Sequence, residues 1–200
     1  MALIIGITGG IGSGKTLITN IFSALSIPVF NSDLAGRLVL NNSEEVKAAI
    51  VARWGNDMYI NNIPNRKLIA QKVFNNKSEL EFLNALIHPC VRSLFSDFIS
   101  ENTDSKYVIY ESAILFESGF SKETDLNILI TAPLNERIER VIKRDNAQYN
   151  DVLARINNQW SDEQKSKLAQ HTILNGKNDR ILPQILSLHN LFLEHHGKIQ

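Results

Sequence analysis

A single cysteine in 200 residues, Cys90, excludes an intramolecular disulfide and a cysteine-built metal cluster. It follows Pro89 at the head of an apolar-periodic stretch, a position suited to a small buried hydrophobe. Excess charge is missing too, because 21 Lys and Arg balance 21 Asp and Glu. A neutral chain has no global field to draw it onto nucleic acid or an anionic membrane, so neither is an expected partner, and no obligate protein partner is evident. No apolar run approaches the roughly 18 residues that cross a bilayer. The apolar start, Ala2 to Ile7, lacks a basic leader and runs into glycines. It reads as a buried strand rather than a signal peptide, and the cytoplasm is the expected location. No H-E-x-x-H or comparable ligand spacing exists, so no zinc site is expected. Repeats, low-complexity tracts and long charge blocks are also absent. What the chain has is 44% hydrophobic residues, enough for a real core, in a length that suits one domain with inserted subdomains.

Leu3 to Ile7 is a short continuous apolar run, as in a central parallel strand buried on both faces. A glycine loop follows, and then Leu17, Ile18, Ile21, Phe22 and Leu25 recur at helical spacing. Ile27 to Phe30 reads as a second strand ending at Asn31-Ser32-Asp33. From about 34 to 101 the chain looks mostly helical, with Leu80, Leu83 and Ile87 on one face. Pro89 predicts a break at His88, after which Val91, Leu94, Phe95, Phe98 and Ile99 mark another helix. Strand character returns at Tyr107–Tyr110 and Leu126–Thr131. Arg137 to Arg144 lies on a charged helix after Pro133, with Asn135 as its expected cap. His171–Leu174 is a weak last strand, and Ile181, Ile185, Leu188 and Phe192 mark a closing helix. Alternating strands and helices predict an open parallel α/β sheet flanked by helices. The block at about 34–101 is expected as a helical insertion, and that at about 134–165 as a second one.

Gly9-Gly10-Ile11-Gly12-Ser13-Gly14-Lys15-Thr16 fits G-x-x-x-x-G-K-[ST]. Glycines let the backbone curl until several N–H groups face one point, and the helix that starts near Lys15 adds its own N-terminus, which together make an anion site. Lys15 would reach the β and γ phosphates, and the Thr16 hydroxyl is placed to ligate Mg²⁺. A glycine-rich turn without nucleotide could match by chance, but here a strand precedes it and an amphipathic helix follows. Lys15-Thr16 also argues against a dinucleotide fingerprint. Gly10, Ile11, Gly12, Ser13, Gly14, Lys15, Thr16 and Leu17 are the expected ATP-binding stretch.

A P-loop alone does not mean a kinase. Asp33 stands 18 positions after Lys15 at the end of the second strand, so the carboxyl edge of an open sheet would hold it beside the loop. It would then accept the proton of an attacking hydroxyl, or else cap the following helix. Asp33-Leu34-Ala35-Gly36 spells D-x-x-G, but it comes too early for a GTPase switch, and an N-K-x-D run is missing. Arg137, Arg140 and Arg144 share one helix face, which is either a lid over the phosphates or a solvated face paired with Glu136 and Glu139. Arg140 and Arg144 are the stronger lid candidates. Glu111 could bind Mg²⁺ through water, as could Glu117, or either could cap. His88 could touch substrate or be satisfied locally.

The residues resemble the dephospho-CoA kinase family over almost the whole chain. Thr8-Gly9-Gly10-Ile11-Gly12-Ser13-Gly14-Lys15 is similar to that family's P-loop. Asn31-Ser32-Asp33 with Arg37 resembles its D-A-D-x-x-A-R segment. Asn65-Arg66-Lys67-Leu68 with Val73-Phe74 resembles D-R-x-x-L…V-F, Ile87-His88-Pro89 matches I-H-P, and Ile114-Leu115-Phe116-Glu117 resembles L-L-F-E. Arg140 and Arg144, Arg155 with Gln159, and Ile173-Leu174-Asn175 follow in order.

The resemblance implies a P-loop kinase that phosphorylates the ribose 3′-hydroxyl of dephospho-CoA with ATP and Mg²⁺, the last step of coenzyme A biosynthesis. It implies a nucleotide-binding core at about 1–33, 102–133 and 166–200, a helical CoA-side subdomain at about 34–101 and a lid at about 134–165. Carried over by position, Asp33 is the base, and Lys15 and Arg140 stabilise the transferring phosphoryl group. Arg144 assists from the lid, and Asn175 and Gly176 lie near the adenine. Arg66, Lys67 and His88 lie near dephospho-CoA. Asn31-Ser32 replaces the family's D-A, Gly36 replaces an Ala, Glu111-Ser112-Ala113 replaces a stretch ending in Pro, and Gln170-His171 replaces A-D. Another small-molecule P-loop kinase and a non-catalytic ATP-binding module are the alternatives.

Overall fold

The computed structural model describes residues 2–74 and 76–196. In chain order the elements are β1 (Leu3–Thr8), α1 (Lys15–Ala24), β2 (Val29–Asn31), α2 (Ser32–Asn42), α3 (Glu44–Trp54), β3 (Tyr59–Ile60) and β4 (Ile63–Pro64). They continue with α4 (Arg66–Phe74), α5 (Lys77–Glu101), β5 (Tyr107–Glu111), β6 (Leu126–Thr131), α6 (Leu134–Asp145), α7 (Tyr149–Asn157), α8 (Asp162–Ser166), β7 (His171–Leu174) and α9 (Ile181–His196). Two compact units result. One joins the chain up to Asn31 to the chain from Glu101 onward, and the other is Ser32–Ser100.

The first unit is a five-stranded sheet in the order β2-β5-β1-β6-β7, parallel throughout. In parallel strands buried on both faces, β-branched apolar residues pack well on the pleated surface. Ile5, Ile7, Tyr107, Ile109, Ile128, Ile130 and Ile173 share one face and are covered by Ile18 and Phe22 of α1 and Ile185 and Phe192 of α9. Within this core Tyr107 meets Phe22 and Phe192 edge-on, and its hydroxyl satisfies itself on His189 Nδ1 at 2.7 Å. Burial pushes the Tyr107 phenol upward. On the other face Tyr110 is stacked between Phe30 and Phe120. Only glycine fits at Gly6, where a Cβ would stand 2.5 Å from Asn127 Oδ1 and 2.7 Å from Leu115 Cδ2. At the β7 edge Gln184 of α9 accepts a bond from the Leu174 amide and donates one to its carbonyl, at 2.9 and 3.0 Å.

Several local expectations fail for identifiable reasons. Leu17 shares the apolar repeat of α1 yet is 50% exposed, because Ile18, Thr19 and Phe22 face the sheet. Asn135 is no cap, since α6 begins at Leu134 directly after Pro133. The second strand falls at Val29–Asn31, two residues later than Ile27, because Ile27 closes the α1 turn by donating to Phe22 O.

The second unit is helical apart from the β3–β4 hairpin. Asn61 and Asn62 form its turn with φ of 50° and 66°, the left-handed pair that a two-residue hairpin loop requires. The predicted break at His88 does not occur, because α5 runs unbroken through Pro89. Proline forfeits one ladder bond at about 3 kcal/mol. Beyond it, Val91 and Phe95 are buried like Leu83, and burying each gains about 1.5–3 kcal/mol, so the continuous helix wins. Among the described residues no helix is long and apolar enough to cross a membrane.

Candidate active site

β1 is the central strand, and its carboxyl end is where open α/β sheets bind ligands. The chain leaves Thr8 through Gly9–Gly14 and enters α1 at Lys15. Gly14 occupies the N-cap in the left-handed conformation, no side chain caps the helix, and its first turn carries no acid. The first-turn N–H groups therefore keep their capacity for an anion. The Lys15 ammonium donates to Gly9 O at 2.7 Å, across the mouth of the loop. Thr16 is exposed in that first turn.

α6 backs the loop. Arg137, buried to 6% exposure, donates from Nε to Ile11 O at 3.0 Å and from Nη1 to Asp162 Oδ2 at 3.0 Å. Asp162 Oδ2 also accepts from the Thr131 hydroxyl. A Cβ on Gly10 would lie 1.9 Å from Arg137 Nη2, and one on Gly12 would lie 2.4 Å from Arg137 O. The glycines at these positions thus serve contact with α6 as well as curvature. Arg140, one turn on, donates to Gly12 O at 3.4 Å, to Asn175 O at 2.7 Å and to Glu136 Oε2 at 3.1 Å. Asn175, buried after β7, returns a bond from Nδ2 to Ser13 O at 2.7 Å. The Gly176 amide is held by Asp179 Oδ2 at 2.6 Å.

The sequence-predicted residues divide by what they touch. Lys15, Arg140, Asn175 and the loop from Gly10 to Thr16 come together in one cluster. Arg144 does not bond the loop. Its guanidinium grips its neighbour Asp145 at 2.7 and 3.0 Å, and Arg155 shares that carboxylate at 2.9 Å. The Arg144 bond, with help from the Arg155 bond and both positive charges, holds the Asp145 carboxyl pKa at about 2 against desolvation, which pushes it the other way. Glu111 closes β5 as a buried carboxylate, its Oε2 accepting from the Thr19 hydroxyl and Asn31 Nδ2, both at 3.0 Å.

In the helical unit Asp33 is exposed in the first turn of α2, two residues past the end of β2. Arg66 and Lys67 open α4 and are exposed, and Arg66 Nη2 donates to Asn41 Oδ1 at 3.2 Å. His88 is half-buried in α5, and burial, aided by the Arg92 charge, lowers its pKa.

One residue at the site, Lys165, escaped the sequence reading, and another, Gln159, was carried only as part of a family segment with no role. Lys165 of α8 is completely buried, donating to Ala113 O at 2.8 Å and pairing with Glu117 Oε1 at 3.0 Å. This gives Glu117 a structural partner. Gln159 accepts from the Ile11 amide at 2.8 Å. In sequence, Lys165 sits in an all-polar stretch, Asp162 to Ser166, that reads as surface, and nothing local flags its burial.

The family model described as dephospho-CoA kinase matches residues 3–180. A Bacteroides fragilis protein named dephospho-CoA kinase is 35% identical over 94% of this chain and 92% of its own length. A Pseudoalteromonas translucida protein of the same name is 38% identical over 98% of this chain and 91% of its own. Among solved structures, one of a Thermus thermophilus protein superposes with a TM-score of 0.82 at 31% identity, covering 96% of this chain and 97% of that one. With the loop, its α6 backing and these matches over nearly the full length, the chain belongs to the dephospho-CoA kinase family.

Proposed function

We propose that the chain transfers the γ-phosphoryl group of ATP to the ribose 3′-hydroxyl of dephospho-CoA, giving coenzyme A and ADP. The observation that carries the ATP half is the glycine loop at an uncapped, acid-free helix N-terminus, flanked by Lys15 and Arg140. Family membership carries the acceptor.

Asp33 takes the proton as the 3′-hydroxyl oxygen attacks phosphorus, and the bond to the β–γ bridging oxygen breaks to release ADP. Its place in the chain, in the first turn of α2 and two residues past the end of β2, supports that role. Phosphoryl transfer spreads negative charge over the equatorial oxygens, so positive groups fixed in advance give the main stabilisation. Lys15 and Arg140 are those groups, and Arg144 joins them from the lid at about 134–165. Asn175 and Gly176 border the adenine. Arg66 and Lys67 supply positive charge for the phosphates of dephospho-CoA, and His88 supplies a neutral imidazole there.

A divalent metal accompanies ATP in kinases generally, and Mg²⁺ is the ion we propose. The donors fit it: the Thr16 hydroxyl and the Glu111 carboxylate, acting through water, are hard oxygens. Among the described residues no group of three or more His, Cys, Asp or Glu could hold a metal, so phosphates and water would supply most of its ligands. When bound, Mg²⁺ neutralises charge on the β and γ phosphates.

The test is ADP release with Mg-ATP in the presence of dephospho-CoA, AMP, nucleosides or shikimate, with Asp33→Asn as control. Stimulation by dephospho-CoA alone, coenzyme A as product and a large fall in turnover with retained ATP affinity in the control are expected. Use of another acceptor overturns the substrate, and near-normal turnover in Asp33→Asn overturns the base.

A further inference from the structure

The P-loop residue Ile11 is held on three sides. Its N–H donates to Gln159 Oε1 at 2.8 Å, and its carbonyl accepts from Arg137 Nε at 3.0 Å. Its side chain packs with Ile138 and Val141 of α6 and Val152 of α7. Gln159 lies beyond the end of α7, where its own amide donates to Ile156 O, and is separated from Ile11 by 148 residues of sequence. A loop amide near bound phosphates would ordinarily point at them or at water. Here a side chain takes it.

From this arrangement we infer that Gln159 is a positioning residue for the phosphate donor. It draws the Ile11 amide to the α7–α8 junction and so fixes the curl that turns the later amides toward the anion. Arg137 holds the opposite end of the same residue, so the Ile11 segment cannot rotate. The loop is ordered before the nucleotide arrives, and binding need not bear that ordering cost. Removing the Gln159 acceptor returns the cost to nucleotide binding and leaves the acceptor site untouched. This role rests on the reading of the loop as the ATP site.

The experiment compares the full chain with Gln159→Met, close in volume but without an amide oxygen, and Gln159→Glu, which keeps an acceptor at the same reach. Three quantities are read: hydrogen exchange of the Ile11 amide, Kd for ATP and for ADP by calorimetry, and KM for dephospho-CoA. Gln159→Met should lose Ile11 protection and weaken ATP and ADP alike by about tenfold, the effect of about 1.4 kcal/mol, with the KM for dephospho-CoA within twofold. Gln159→Glu should retain the protection. Loss of protection with both nucleotides still bound within twofold of the parent overturns the role, as does unchanged protection in Gln159→Met. A uniform fall in Tm with unchanged nucleotide affinity would show a merely structural side chain and also overturns it. The binding arm uses no acceptor, so ATP affinity that depends on Gln159 without transfer to dephospho-CoA would sink the reaction and leave the positioning role standing.

Discussion

Lys165→Met is expected to be among the most damaging single changes away from the glycine loop. The Lys165 side chain has no exposure, and its ammonium is shared between Glu117 Oε1 at 3.0 Å and Ala113 O at 2.8 Å. Glu117 already has one buried oxygen, Oε2, without a hydrogen-bond partner, and its other oxygen also serves the Trp160 amide at 3.1 Å. Methionine fills much of the same volume but strands the carboxylate. Breaking a buried pair from one side costs about 3–5 kcal/mol. At about 2–4 °C per kcal/mol for a chain of this size, Tm should fall by on the order of 6–20 °C. Thermal and urea unfolding followed by circular dichroism would measure it. Adding Glu117→Leu removes the stranded charge and should recover about 2 kcal/mol, the remainder reflecting the Trp160 amide without its acceptor and the Ala113 carbonyl left with only the Thr8 hydroxyl at 3.5 Å. A single variant that costs under about 1 kcal/mol, or a double variant that sums the two single losses, would refute the reasoning.

Gly36→Ala should stabilise the helical unit by about 0.5–1 kcal/mol, because a Cβ there meets only Ile87 Cγ2 at an ordinary 3.5 Å; urea midpoints would show it. Gly14→Ala should do the reverse at the site, since φ is +92° and the Cβ would stand 2.1 Å from Asn175 Nδ2. The backbone strain alone is about 1–2 kcal/mol, so ADP affinity should drop about tenfold or more by calorimetry. Burial holds the folded-state pKa of His88 below its ordinary value. The unfolded chain therefore binds this proton first, and stability should decline as pH falls through about 6.5 toward 5. His88→Gln should flatten that part of the stability–pH curve.

The central strands were legible because burial on both faces leaves nearly continuous apolar runs, and β6 matches its predicted span residue for residue; β7, an edge strand exposed at alternate positions, matches its span too although it read only as a weak strand. The loop was legible because its curl requires particular residue types. What failed involved competition between local and tertiary terms. Pro89 signals a break by local sterics, yet the burial of Leu83, Val91 and Phe95 outweighs it. The β3–β4 hairpin, two residues per strand, is too short for periodicity, and the Asn61-Asn62 turn was its one available signal. The three arginines of α6 share one helical face, and the sequence favoured Arg140 and Arg144 over Arg137 as lid residues. Packing separated them into a buried brace at Arg137, a loop contact at Arg140 and a surface pair at Arg144. Gln159 figured in the sequence only as a family-motif position with no role attached, since a lone amide gains its meaning from the distant backbone it meets.

Gln184 has a consequence for how the molecule behaves in a crowd. An outermost strand offers its backbone to any extended peptide, and sheets grow from one molecule into the next by that route. By presenting an amide oxygen to the Leu174 N–H and an amide nitrogen to its carbonyl, Gln184 imitates one residue of a sixth strand. β7 is only four residues long, so this counterfeit rung occupies a large part of what a stray strand could template upon. The β7 edge is capped at Leu174 from α9, without an added strand and without burying a charge.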